Sequence, residues 1–195
     1  MLKFTTELMH EQFSQSGTTL GLIDDSKTFD MRQLGINYRA SPLVLDEYNQ
    51  SACLDSIDPY RDGHDLKARA GDRSPEAAGL MRVTQTGAKA TTTVYDLLDV
   101  VSHTVLLFGE PGSETQSVID LVKSYPQGTV KCVVVLPKGL DVCPGLLGKE
   151  YIVVLDQEGH AYKHYHIQEK EQRVVAIRPD GVSEQMTGLP WSVLT

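Results

Sequence analysis

The sequence predicts an α/β protein built on a mixed sheet, and three observations carry that prediction. Strand-length apolar runs recur in the second half of the chain, at His103–Phe108, Val130–Leu136, Tyr151–Asp156 and Arg173–Arg178. They are near-continuous rather than alternating, the pattern of strands covered on both faces. Between the first two lies a stretch of helical length behind a Gly109-Glu110-Pro111-Gly112 turn. Strands alternating with helices are the mark of layered α/β packing.

Taken in order, residues 1–75 read as an N-terminal arm and residues 76–195 as the body. In the arm, Leu2, Leu8, Met9 and Phe13 share one helical face that ends at Gly17. Ser41-Pro42-Leu43-Val44-Leu45 reads as a turn and a short strand, because proline biases its neighbour towards extended backbone. Residues 46–75 form a polar excursion punctuated by Asp58-Pro59 and Asp62-Gly63. In the body, Thr93 caps a helix running through Tyr95, Leu97, Leu98 and Val101. After the His103–Phe108 strand, Ser113 opens a helix to Ser124, with Gln116 at capping-box spacing. Residues 137–150 are a proline- and glycine-rich loop. Ala161–Ile167 is a short helix, and Pro179-Asp180-Gly181 turns the chain after the last apolar run.

The composition bounds the function. The chain has 195 residues, 41% hydrophobic and 23% charged, enough for a buried core and unlike a disordered chain. Its net charge of −8 is shared evenly between arm and body. That acidity argues against a nucleic-acid or anionic-membrane surface, both of which need a basic footprint. There is no G-x-G-x-x-G and no phosphate-loop motif, so a self-sufficient dinucleotide enzyme is disfavoured. The three cysteines, Cys53, Cys132 and Cys143, make no C-x-x-C and suggest reduced thiols in the cytoplasm. No apolar run has signal-peptide or membrane-spanning length.

The element order looks like a thioredoxin fold. More specific strings occur at Gly35…Tyr38…Ser41-Pro42-Leu43, at Ala70-Gly71-Asp72-Arg73-Ser74-Pro75-Glu76-Ala77, at His103–Gly109, and at Val175-Ala176-Ile177-Arg178-Pro179-Asp180-Gly181. Together they resemble the C-terminal domain of phenol-hydroxylase-like, FAD-dependent aromatic monooxygenases, over about residues 20–182. The resemblance implies a thioredoxin-like body that ordinarily follows flavin and substrate domains and commonly serves dimerisation. This chain opens on Met1 where the family has its catalytic domains. The expectation is therefore a stand-alone version with no cofactor, of the kind found in fungal and bacterial natural-product pathways.

A redox-active thioredoxin needs a C-x-x-C where the first strand meets its helix. Here that junction is Gly109–Ser113 and holds no thiol, so disulfide exchange is excluded there. His160 and His164 stand at i, i+4, the spacing of a two-histidine metal face, with His166 beyond and Asp156 and Glu158 as further candidate ligands; a wetted helix face carrying Tyr162 and Tyr165 is the favoured reading and no metal is assigned. Two functions of different class remain. The first, slightly favoured, is a cofactor-independent acid–base catalyst, an isomerase or cyclase such as an epoxide-rearranging enzyme. Its substrate would be an apolar oxygenated intermediate of secondary metabolism. Proton transfer would fall to Tyr38, Asp46, His64 and Asp72, and substrate binding to Arg39, Tyr60, Arg73 and Trp191. The competing reading of each is a solvated loop residue, with Asp72–Arg73 pinning the loop and Arg178 and Asp180 forming a turn pair. The second function is a non-catalytic dimerisation or docking module for a flavin-dependent monooxygenase, its partner that enzyme or a second copy of the chain.

Overall fold

Alternation within the apolar runs decides the layering. In β4 (His103–Phe108), Val105 and Leu107 belong to one buried cluster and Leu106 and Phe108 to the other. The same period of two divides Cys132 and Val134 from Val133 and Val135 in β5 (Val130–Leu136). A strand whose successive side chains point to opposite faces, all of them apolar, must be covered on both sides. The helix α2 (Ser113–Ser124) covers one face with Val118, Ile119 and Val122. The short helices α1 (Val94–Leu97) and α3 (His160–His164) contribute Val94, Leu97, Ala161 and Tyr162 to the cluster on the other face.

This computed structural model describes residues 36–48, 68–84, 89–140, 151–168 and 170–189. All belong to one unit, Ile36–Thr195. The remaining strands are β1 (Leu45–Asp46), β2 (Leu80–Val83), β3 (Lys89–Thr92), β6 (Ile152–Asp156), β7 (Arg173–Ile177) and β8 (Ser183–Gly188). The sheet runs β1-β8-β7-β4-β5-β6-β2-β3. β4 and β5 are parallel, joined through α2, whereas β7 lies antiparallel to β4 and β8 antiparallel to β7. The order β8-β7-β4-β5 with that polarity is the thioredoxin-like core. β6, β2 and β3 extend it on one side, and β1 on the other. No helix of the described residues is long and apolar enough to cross a membrane.

Several local expectations meet the structure directly. Thr93 caps α1 through a capping box in which its side chain accepts from Asp96 N and Asp96 accepts from Thr93 N. The helix stops at Leu97 rather than at Val101, because the Asp99 side chain accepts from Val101 N and draws the backbone into a local turn. The cap of α2 is Gly112, with no side-chain cap bond, so Ser113 is not the capping residue; its carbonyl accepts from the Ser117 hydroxyl. The last short helix spans His160–His164, starting one residue before and ending three residues before the expected Ala161–Ile167. β2, β3 and β8 went unread. β8, Ser-Glu-Gln-Met-Thr-Gly, is polar and carries no apolar run, yet Ser183, Met186 and Thr187 are buried by the pairing with β7. The helical face of residues 2–17 lies outside the described residues.

Cys132 sits in this core at 3% exposure, and burial pushes its thiol up to about 12. The protonated form is the one the fold stabilises. Stability from this group is therefore full below the unfolded thiol value and is lost as pH rises through about 12. At pH 8 the thiol at Cys132 is expected to resist an aromatic disulfide reagent in the native protein and to react once the chain is unfolded in denaturant. Fast native labelling mapped to Cys132 by mass spectrometry would contradict the buried placement.

Candidate functional site

Three of the four segments singled out in the sequence, around Tyr38, Gly71 and Gly181, are far apart in sequence and meet at the start of β8. Tyr38 N donates to Gly71 O at 2.7 Å, and Gly71 N donates to Ser183 O at 2.6 Å. Ser183 N donates back to Asp72 O at 2.9 Å, and Ser74 N donates to Gly181 O at 2.8 Å. Arg73 and Val182 form an isolated antiparallel bridge. The strings around Tyr38, Gly71 and Gly181 thus form one backbone knot. Gly71 makes the close approach feasible. Its φ is +91°, and a Cβ there would stand 2.5 Å from Arg39 N.

Side chains fasten the same knot. Arg39 Nε and Nη2 donate to the two oxygens of Asp72 at 2.6 and 2.7 Å, a bidentate pair. Its side chains are 15% and 18% exposed. Arg178 bonds Asp180 at 2.6 Å and also lies 5.3 Å over the Tyr38 ring. Asp46 accepts from Ala70 N at 2.9 Å and from Tyr48 N at 3.0 Å, tying β1 to the segment entering the knot. The exposed Arg73 lies beside Gly181 and Tyr95.

The structure therefore gathers Tyr38, Arg39, Asp72 and Arg73 in one place, with Asp46 close by along the chain at Ala70. The backbone of Asp72 and Arg73 pins the loop to Val182 and Ser183, the Asp72 carboxylate pairs with Arg39, and Arg178 and Asp180 form the turn pair. His64, Tyr60 and Trp191 lie outside the described residues, as do Cys53 and Cys143.

A second layer went unread in the sequence. Tyr165 is fully buried, and its hydroxyl shares a short hydrogen bond with Ser74 Oγ and donates to Pro75 O at 3.1 Å. Burial pushes this hydroxyl well above the usual phenol range, a shift that the Ser74 bond partly offsets. Tyr95 donates to Ser74 O at 2.8 Å, and its hydroxyl is raised chiefly by burial, with Arg73 acting the other way. Glu76 accepts from Ala77 N, Tyr95 N and Thr93 Oγ1. Arg173, 7% exposed, bonds Glu171 and Tyr165 O, and its guanidinium lies 3.7 Å over the Tyr48 ring. The one sequence signal for this layer was Ser74, inside the Gly71–Ala77 string. The expectation of a wetted helix face holding Tyr162 and Tyr165 is corrected here, since both tyrosines are buried in the core, and Arg173 read as an ordinary strand residue.

At the other candidate position, the junction of β4 and α2, a hollow of about 100 Å³ is lined by Pro111, Gly112, Thr115, Gln116, Ile119, Val134, Tyr151 and Val153. It contains no thiol, no histidine and no carboxylate. Its hydroxyl groups are those of Thr115 and Tyr151.

No family model matches the sequence, and no curated protein matches it. The chain is similar to solved structures of peroxiredoxins at low identity. The reduced 2-Cys peroxiredoxin of Plasmodium vivax shows 12% identity and a TM-score of 0.48, over 61% of this chain and 71% of that one. A peroxiredoxin-like protein from Aquifex aeolicus shows 16% and 0.46, over 64% and 78%. Mycobacterium bovis AhpC shows 10% and 0.49, over 66% and 86%. The assignment of a thioredoxin-like core rests on the strand order and polarity given above.

Proposed function

We propose that this chain is a non-catalytic thioredoxin-like module that self-associates or docks on a flavin-dependent monooxygenase. The observation that carries the reading is the convergence of the strings around Tyr38, Gly71 and Gly181 into one backbone knot. A joint made of backbone hydrogen bonds and a bidentate ion pair is a structural use of these residues, as a non-catalytic module would make of them. Four carboxylates within the described residues support the same reading. Asp46, Asp72, Asp180 and Glu76 all accept hydrogen bonds from the protein's own backbone or side chains. A carboxylate occupied in that way is a poor donor of a proton to a substrate.

A docking module also needs apolar surface. Val100 is 87% exposed, Val101 79% and Leu43 76%. The loop carrying Val100 and Val101 is tied to the turn after Tyr125 by the bond from His103 N to Thr129 O, and Tyr125 is itself 44% exposed. Exposed side chains of this size near one end of a sheet are what an interface core uses.

The test is sedimentation velocity on the full chain, alone and mixed with a phenol-hydroxylase-type flavoenzyme lacking its own C-terminal domain. The expected result is a dimer or a complex that Val100→Asp with Val101→Asp weakens at least about tenfold, a change of about 1.4 kcal/mol. A monomer that binds no such flavoenzyme overturns the reading. Turnover of aromatic epoxides or polyenes by the chain alone would overturn it in favour of the isomerase or cyclase alternative.

A further inference from the structure

The docking reading makes no use of the hollow at the β4–α2 junction. Val134 of β5, Val153 of β6 and Ile119 of α2 give it an apolar wall, and all three belong to one buried cluster. Two polar features meet this wall. The first is the start of α2. Its cap, Gly112, lines the hollow and makes no side-chain cap bond, and the first bond of the helix runs from Gln116 N to Gly112 O at 3.0 Å. The N–H groups of Ser113, Glu114 and Thr115 therefore have no acceptor among the described residues. The second is the Thr115 side chain. Thr115 is 5% exposed and lines the hollow, and its hydroxyl makes no hydrogen bond among the described residues. Ser117, on the exposed side of the same helix, returns its hydroxyl to Ser113 O at 3.0 Å; Thr115 does not do the equivalent. A buried hydroxyl calls for a partner, and the hollow is where one can reach it.

We propose that this hollow binds a short-chain carboxylate, such as isobutyrate, through the Thr115 hydroxyl and the start of α2. Carboxylate oxygens only accept, which suits backbone N–H groups and a hydroxyl that can turn its proton towards them. The partial positive charge of a helix N-terminus favours the anion over a neutral molecule of the same shape. The branched alkyl end lies against Ile119, Val134 and Val153. Size sets the class. The hollow measures about 100 Å³. A cavity of about 150 Å³ is what holds benzene, so a fused ring or a long acyl chain exceeds this one. Glu110 and Glu114 stand at the same end of α2, both exposed. Their charges oppose an anion through water, which screens them, so they weaken the site without abolishing it.

The experiment is titration of the full chain with sodium isobutyrate at constant ionic strength, followed by backbone amide NMR. Isobutyramide serves as the neutral match. Saturable shifts are expected at Gly112, Ser113 and Thr115, with isobutyramide binding at least about fivefold more weakly. Thr115→Val keeps the side-chain shape and removes the hydroxyl. It should weaken isobutyrate at least about tenfold, the effect of one hydrogen bond to a charged group. Glu114→Gln should strengthen it about twofold by removing an opposing charge. Ser117→Ala should leave it unchanged. Absence of saturable shifts at these amides overturns the proposal. So does isobutyrate binding that Thr115→Val leaves intact. Equal binding of acid and amide overturns it too, and that comparison needs no variant, so it decides the matter even where Thr115→Val fails to fold.

Discussion

Gly71→Ala is expected to destabilise the protein by about 3–5 kcal/mol, the range of severe backbone and packing defects. Two effects add at that position. The φ of +91° is strained for any residue with a Cβ, which costs about 1–2 kcal/mol. The new carbon would also stand 2.5 Å from Arg39 N, 2.7 Å from Arg39 Cα and 2.8 Å from Tyr38 C. These are backbone atoms, so no side chain can swing away to relieve the contact. The segment around Tyr38 must move, and the Tyr38–Gly71 hydrogen bond and the Arg39–Asp72 pair move with it. For a unit of this size the melting temperature should fall by about 10 °C. Gly128→Ala is the control. Its φ is +86°, but nothing lies within 4 Å of the added carbon, so it carries the strain without the clash. Thermal unfolding followed by circular dichroism decides the matter. Equal losses in the two variants would sink the claim that Gly71 sits at an obligatory close approach.

The second large effect is expected at the ion pair that fastens the same joint. Arg39→Ala leaves a largely buried carboxylate without its guanidinium, and Asp72→Ala does the reverse. Each should cost about 2 kcal/mol, less than the 3–5 of a fully buried pair because both groups keep some contact with water. The double variant should lose much less than the sum, since the second change removes a charge the first left stranded. Arg39→Lys should recover only part of the loss. A lysine cannot present the planar fork that meets both Asp72 oxygens. Urea unfolding of the four proteins gives the coupling. Strictly additive losses would mean that the two residues stabilise the fold independently and that the pair is incidental.

These effects lie in a region that the sequence marked for a different purpose. Tyr38, Arg39, Asp72 and Arg73 stood out as polar, proton-moving or substrate-holding groups in a loop excursion. Their types and their grouping were legible. Their partners were not, because Arg39 and Asp72 are 33 residues apart and nothing local specifies their contact. The same holds for Ser74 and Tyr165, which are 91 residues apart. A buried tyrosine hydroxyl must find a partner, but sequence cannot say which. The histidine pair is the opposite case. Its i, i+4 spacing was visible at once, because helix periodicity is local, and only the contact of His164 Nδ1 with the Glu76 carbonyl needed the fold.

The sequence by itself determined the layered α/β core. Its apolar runs are long enough and uniform enough that only strands buried on both faces can accommodate them. It also excluded disulfide exchange at the β4–α2 junction, since a missing thiol needs no structure to establish. The tertiary structure alone decided that β8 is a strand, that β2 and β3 extend the sheet, and that three remote strings close into one joint. The physical reason is common to all three. Hydrogen-bond pairing between distant backbone segments depends on what the neighbouring strand offers, and polar residues such as Ser183 and Thr187 become sheet residues only when β7 supplies the ladder.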